Sequence, residues 1–424
     1  MRSRPRSGRG LAPALAALVA LAAPVALGGP FAAAAGAQGV VVANGSFEEE
    51  DGRLPRAWSR GIGAQVLGVD PVESECRLDD AVARSGKRSL LLAGSSGTTV
   101  WTVVEQRIGG LAPGARLLVT GWVRTDAVGP EGKQSFNCNL LVYFTDAKGG
   151  RVAADGARLL ATEQLRGSND WRRVGRSFIV PEGATAATVG CFLSCTGKAW
   201  FDDVTLSSWI SKKGRGYEFH HLEGDSLPAE AMDFNERALE GFARLFGVAP
   251  KGPIQYYKYP DNETKGALTG RPGNAHAVPE RLEVHTIHAR DNHEVVHVLM
   301  HAVNPEPNVL LGEGLAVGIS GKWQGAPLDE YVRKMRAEGR YVPLREIAEG
   351  KAFRALDDHV TYPESGGFAK YLLETFGVEA VKKVYAETRA GDSADEVEAR
   401  FKGSIGEPLS KLEERWLRKL EAEK

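Results

Sequence analysis

Cysteine is scarce in this sequence: 4 among 424 residues, at positions 76, 138, 191 and 195. None stands in a Cys-x-x-Cys pair or at metal-knuckle spacing from a histidine, which excludes a structural zinc knuckle. Excess charge is lacking too. Lys plus Arg number 53 and Asp plus Glu 54, a net charge of -1, so the basic surplus expected of a nucleic-acid-binding protein is missing. Beyond Leu27 no apolar run approaches the ~20 residues of a membrane-spanning helix, which excludes a transmembrane segment from the mature chain. Tryptophan and histidine are unevenly placed: six of the 8 Trp precede residue 210, and six of the 9 His lie between 276 and 301. Hydrophobic residues at 43% are enough to build cores. At roughly 150 residues per domain, the length suggests two or three units, and the uneven residue types divide the chain into two halves of different chemistry.

The first residues describe export. Arginines at 2, 4, 6 and 9 precede an Ala/Leu/Val run from Leu11 to Leu27, interrupted by Pro13 and Pro24, and Ala35-Gly36-Ala37 follows. A positive start, a short apolar stretch and an A-x-A-like site read as a cleavable signal peptide over residues 1–37, with a retained N-terminal anchor as the alternative, and place the mature protein outside the cytoplasm, secreted or periplasmic. In that oxidising setting the four cysteines are expected to close two disulfides, by any of three pairings. Buried free thiols are the alternative.

Residues 38–210 read as β-structure. Short β-rich runs such as Ser89–Leu92, Arg116–Val123, Asn139–Phe144 and Thr188–Leu193 are separated by turns such as Ala112-Pro113-Gly114. Their length and spacing predict an antiparallel sandwich rather than βαβ units. Asn44-Gly45-Ser46-Phe47-Glu48, Ser85-Gly86-Lys87-Arg88-Ser89-Leu90, Leu111-Ala112-Pro113-Gly114 and the closing Trp200-Phe201-Asp202-Asp203-Val204 together resemble carbohydrate-binding-module sandwiches. The resemblance implies a jelly-roll with its first and last strands adjacent. It also implies a structural Ca²⁺ where they meet, held by Glu48 and Asp202 or Asp203, and a polysaccharide or glycoprotein partner. Turn capping is the competing role for those carboxylates. Sugar stacking needs an exposed aromatic face, for which Trp58, Trp101, Trp122 and Trp171 are candidates, with core packing as their competing role.

The second half, 211–424, carries the chemistry. Lys212-Lys213-Gly214-Arg215-Gly216 reads as a linker. A helix is predicted over 228–246, strands over 254–259 and 281–287, and a further helix from an Asp291 N-cap to Asn304-Pro305. That helix contains His293-Glu294-Val295-Val296-His297. Side chains at i and i+4 share a helix face, so both imidazoles can reach one ion, with Glu294 beside them to take a proton from water activated at the metal. Glu313, sixteen residues after His297 in Leu310-Leu311-Gly312-Glu313-Gly314-Leu315-Ala316, supplies a carboxylate. Two histidines, one carboxylate and a position left to water is the catalytic zinc pattern.

The His-Glu-x-x-His and Glu-Gly-x-Ala motifs in this order resemble the gluzincin metallopeptidases, the superfamily of thermolysin and the zinc aminopeptidases. The resemblance implies Zn²⁺ on His293, His297 and Glu313, Glu294 as general base, and an oxyanion donor ahead of the helix built on Phe368, Tyr371, Leu372 and Phe376. Tyr362 is that donor by position, with His359 as the alternative. It also implies a strand near Glu283–His288 whose edge receives an extended peptide. Glu280–His288 contains no Gly-x-Met-Glu-Asn-like motif to grip a free amine, which favours an endopeptidase. Val317 rules out a carboxylate four residues after Glu313 to hydrogen-bond and orient the histidines. His276, His285, His288 and His301 are left without a role, and the stripe Leu409, Leu412, Trp416, Leu420 reads as packing.

The expected whole is multidomain: an antiparallel β-sandwich (jelly-roll) followed by a mostly helical α+β zincin-like domain. It would act as an exported zinc peptidase on peptide or protein substrates. The alternative is an extracellular binding or adhesion protein with a structural or inactive metal site. Expressed with its leader, the chain is expected to mature to Gln38 at its N-terminus, read by N-terminal sequencing; a retained residue before Ala35 would contradict the signal peptide.

Overall fold

The computed structural model describes residues 41–61, 75–94, 102–129 and 137–422. The expected signal peptide and Trp101 lie outside them. The first half is built on long antiparallel strands: β1 (Glu75–Asp79), β2 (Ser89–Gly94), β3 (Thr102–Gly109), β4 (Arg116–Gly129), β5 (Asn137–Thr145), β6 (Gly167–Ile179), β7 (Ala186–Ser194) and β8 (Thr196–Lys213). Strands β5, β7 and β3 form the centre of one sheet, and β6, β4, β8, β2 and β1 belong to the other. Alternate side chains of both sheets, among them Leu90, Leu117, Val119, Leu140, Val142, Val189 and Phe201, fill one buried core between them. This is a β-sandwich, as the strand spacing predicted. The opening segment lies against the closing strand, where the Val204 N–H donates to Gly45 O at 2.8 Å.

Strand β8 does not stop where the sandwich does. Its first part pairs with β2 and β4, and Trp209–Lys213 then pair with β9 (Tyr217–Leu222). The predicted linker is therefore two strand residues, Lys212 and Lys213, and a tight turn whose Gly214 N–H bonds back to Tyr217 O at 2.8 Å. The sheet continues through β10 (Ile254–Lys258) and β12 (Glu283–Thr286), both parallel to their predecessors, to β11 (Ala275–Val278), which is antiparallel and at the edge. The strand expected to offer its edge, β12, is paired on both sides, so β11 takes that place.

Nine α-helices among the described residues complete the second half, and none is long and apolar enough to cross a membrane. They are α1 (Ala229–Phe246), α2 (Asn262–Thr269), α3 (Glu294–Met300), α4 (Val309–Ser320), α5 (Leu328–Ala337), α6 (Gly350–Ala355), α7 (Asp358–Glu387), α8 (Ala394–Ile405) and α9 (Leu409–Ala422). Helix α1 starts after Pro228 and ends at Gly247, whose φ of 62° is the left-handed cap that glycine tolerates. Leu409, Leu412, Trp416 and Leu420 are buried along α9, as their spacing predicted.

The expected disulfides are not formed: no disulfide joins the four cysteines, and all four are buried. Strand register sets three of them opposite leucines rather than each other, Cys76 opposite Leu92, Cys138 opposite Leu193 and Cys191 opposite Leu140, so these three pack as small apolar side chains. Burial pushes the Cys76 thiol up to about 11. Nor does an open tryptophan platform form among the described residues. Trp58 is buried and donates to Ala43 O, Arg84 covers Trp122 at 4.2 Å, and Trp171 packs on Leu91, Ala93 and Trp200.

Helices α4 and α7 approach more closely than side chains would allow. A Cβ on Gly314 would lie 2.6 Å from Ser365 O, and one on Gly318 2.7 Å from Gly366 O. Gly→Ala in a helix ordinarily stabilises by about 1 kcal/mol, but here the clash is with backbone and the helices must part. Gly318→Ala is accordingly expected to destabilise by about 1–3 kcal/mol in urea unfolding; an unchanged or raised midpoint would contradict this contact.

Candidate metal centre

Three anchors bring the His-Glu-x-x-His segment into place. Buried Asn235 of α1 donates to Ala289 O at 3.0 Å and accepts the Asp291 N–H at 3.0 Å. Tyr256 of β10 donates its hydroxyl to His288 O. Asp291 then accepts from the backbone N–H of His293 and Glu294, both at 3.1 Å. It acts as the predicted cap, although regular helix begins only at Glu294. Val295, Val296, Val298, Leu299 and Met300 are buried in the core of the second half, which turns His293 and His297 the other way. Buried Asn304 ends the segment by donating to Tyr385 O and Thr388 O. Asn308 caps α4 through the Leu310 N–H, and one turn on, α4 presents Glu313.

The three side chains converge. His293 Nε2 and His297 Nε2 are 3.2 Å apart, and Glu313 Oε2 lies 3.3 and 3.4 Å from them. Among the described residues this is the one group of three or more His, Cys, Asp or Glu side chains that could hold a metal ion. Ligand atoms about 2.0–2.1 Å from one ion at tetrahedral angles stand about 3.3–3.4 Å apart, so the spacing fits a small tetrahedral ion. Side-chain exposures of 28% for His293, 20% for His297 and 15% for Glu313 leave the ligand atoms within reach of solvent. They open onto a cavity of about 830 Å³, also lined by Glu294, Tyr362, Arg354 and β11 residues Ala275–Ala277.

The cluster's electrostatics are those of a partly buried imidazole–carboxylate pair. Burial alone would lower His297, but Glu313, Glu294 and Asp291 outweigh it and push it up to about 9. Burial would raise Glu313, yet His297 and His293 hold its carboxyl well below the usual range. Burial raises Glu294, only partly offset by the two imidazoles.

Tyr362 and His359 separate clearly. Tyr362 lies inside α7 rather than ahead of it, because Asp357 caps that helix earlier through the His359 N–H. Its ring is 6.4 Å from that of His293 and 5.5 Å from Trp323. Burial, then Glu313, pushes its hydroxyl up, so it remains a donor. His359 is exposed, is bonded to Gln324 and does not line the cavity. Arg354, 4.0 Å from Glu313, Trp323 and β11 also line the cavity, and no local sequence pattern marks any of them. Glu48 and Asp202 flank the loop Arg84–Arg88. Glu48 accepts the N–H of Lys87 and Arg88, and Asp202 those of Arg84 and Ser85. They cap turns, and no group of three His, Cys, Asp or Glu side chains forms there among the described residues.

No family model and no curated protein matches the sequence. Solved structures do resemble part of it. The enzymatically active domain of tailspike protein 4 of Bacteriophage CBA120 is 17% identical with a TM-score of 0.31, over 40% of this chain and only 21% of that one. The CBM22-1 xylan-binding domain of Paenibacillus barcinonensis Xyn10C is 15% identical with a TM-score of 0.29, over 41% of this chain and 97% of that one. A family 22 carbohydrate binding module of Clostridium thermocellum Xyn10B is 18% identical with a TM-score of 0.27, over 39% and 94%. Scores of that size leave the sandwich to its own strand order and register.

Metal-stripped protein is expected to take up one Zn²⁺ per chain, and His297→Ala or Glu313→Ala to weaken uptake at least about tenfold with far-UV circular dichroism unchanged. Full uptake by both variants would contradict the site.

Proposed function

We propose that the chain is an exported zinc-dependent peptidase of gluzincin type, with endopeptidase action favoured. The observation that carries the reading is the convergence of His293 Nε2, His297 Nε2 and Glu313 Oε2 within 3.4 Å of one another at the wall of a cavity, with buried Glu294 next to them in sequence. Zinc held by those three residues would polarise a scissile carbonyl and make water nucleophilic near neutral pH. Glu294, its carboxyl raised by burial, takes the proton of the attacking water and delivers it to the leaving amine. Tyr362, kept protonated, donates to the developing oxyanion. The unpaired edge of β11 is suited to hydrogen-bond an extended peptide. Export rests on the leader, residues 1–37.

The second reading is an extracellular binding or adhesion protein whose metal site is structural. The neighbours favour it in name, since two are xylan-binding or carbohydrate-binding modules and none named above is a peptidase. A polysaccharide or glycoprotein would then be the partner of the sandwich. Both readings meet in one assay: turnover of casein and a peptide library by wild type and Glu294→Gln, with zinc content measured on each. The peptidase is expected to lose activity about 10²–10⁴-fold on substitution while keeping its zinc. Zinc in both proteins with no turnover by wild type would remove the peptidase reading and leave the binding one.

A further inference from the structure

A second cavity, of about 680 Å³, lies where the sandwich meets the second half. Tyr257, His285 and His276 line it as part of a ladder of rings on one face of the shared sheet, which continues to His220. His220, Tyr257, His285 and His276 stand directly opposite one another on β9, β10, β12 and β11. Their centroids are 4.6, 5.0 and 4.9 Å apart and their planes within 19° of parallel. Ring faces stacked on one another are not open to a sugar. Burial lowers all three histidines, so the charge of the cavity comes from elsewhere.

It comes from arginine. Arg116 of β4, Arg176 of β6, Arg271 after α2 and Arg281 before β12 all line the cavity. Arg281 is spent on Glu283, reached by two of its nitrogens at 2.7 and 2.9 Å. Arg116, Arg176 and Arg271 have no carboxylate within 4.0 Å among the described residues. Three guanidinium groups facing one space without a counter-ion are a site for carboxylate, which guanidinium binds in a bidentate fork. Arg271 and His276 line this cavity and that of the metal centre alike, so the two spaces adjoin. The free edge of β11 runs between them and offers backbone hydrogen bonds to an extended chain.

We propose that the junction cavity is a carboxylate-binding subsite of the substrate groove, and that the substrates are peptides carrying an acidic side chain to one side of the bond cut. The substrate class rests on the peptidase reading. Two of the three arginines without a carboxylate partner belong to the sandwich, Arg176 also donating to Ala161 O at 2.9 Å, and the sandwich thereby becomes part of the substrate site.

The test uses the full chain bearing Glu294→Gln, zinc-loaded, and two fluorescein-labelled decapeptides that differ only in three Glu against three Gln, with oligogalacturonate as a third probe. The Glu peptide is expected to bind at least tenfold tighter than the Gln peptide. Arg271→Gln, on an exposed loop, and separately Arg116→Gln are expected to erase that preference with zinc content and unfolding midpoint unchanged. Equal binding of the two peptides, stronger binding of oligogalacturonate, or no effect of either arginine substitution would overturn the proposal. Wild-type cleavage of the two peptides separates the two claims. Equal cleavage removes the acidic preference and leaves the peptidase. Arginine-dependent binding without any cleavage supports the carboxylate subsite and removes the peptidase.

Discussion

The arrangement of the second half depends on how closely α4 and α7 approach. Gly314 and Gly318 turn bare backbone toward Ser365 and Gly366, at distances where a methyl group would already overlap carbonyl oxygens. Glu313 precedes Gly314 by one residue, about 100° around the helix, so the face that contacts α7 also fixes where the carboxylate points. Tyr362 is carried by α7 itself, one turn before the contact. A single interhelical distance thus sets the third ligand atom against the two imidazoles and the candidate oxyanion donor against all three. The segment bearing His293 is held independently by Asn235, Tyr256 and Asp291. Each anchor is a buried polar side chain bonded to backbone, a kind of contact that loses directional hydrogen bonds as soon as it shifts.

Strand β8 joins this centre to the sandwich. Because one strand pairs first with β4 and then with β9, the two halves share a sheet and are not beads on a flexible link. The consequence is chemical as well as mechanical. Arg116 and Arg176 line a cavity shared with the second half, which adjoins the cavity of His293, His297 and Glu313 through Arg271 and His276. With Trp58 buried, Trp171 packed on Leu91, Ala93 and Trp200, and Trp122 covered by Arg84, these tryptophans are engaged in packing contacts.

Much of the site was legible because helix periodicity is local. His293 and His297 fall on one face, the valines and Leu299 on the other, and Glu313 follows on the next helix, so convergence could be expected without coordinates. The sandwich was legible from strand length and turn spacing, and α9 from its stripe. What escaped was non-local or depended on pairing. The glycine turn at 214–216 reads equally as linker or hairpin until Trp209–Lys213 find β9. Which of β11 and β12 is the edge depends on strand order. The cysteines suggested disulfides by compartment, whereas registry places each of three opposite a leucine. The arginine cavity gathers residues 116, 176, 271 and 281, which no pattern along the chain connects.

The central claim is an open metal centre of two imidazoles and one carboxylate. Zinc-edge X-ray absorption of the zinc-loaded full chain tests it most directly. The account predicts two imidazole nitrogens and oxygen donors at about 2.0–2.2 Å, with no sulfur in the first shell. A sulfur shell at about 2.3 Å, or a closed set of four protein ligands, would contradict it.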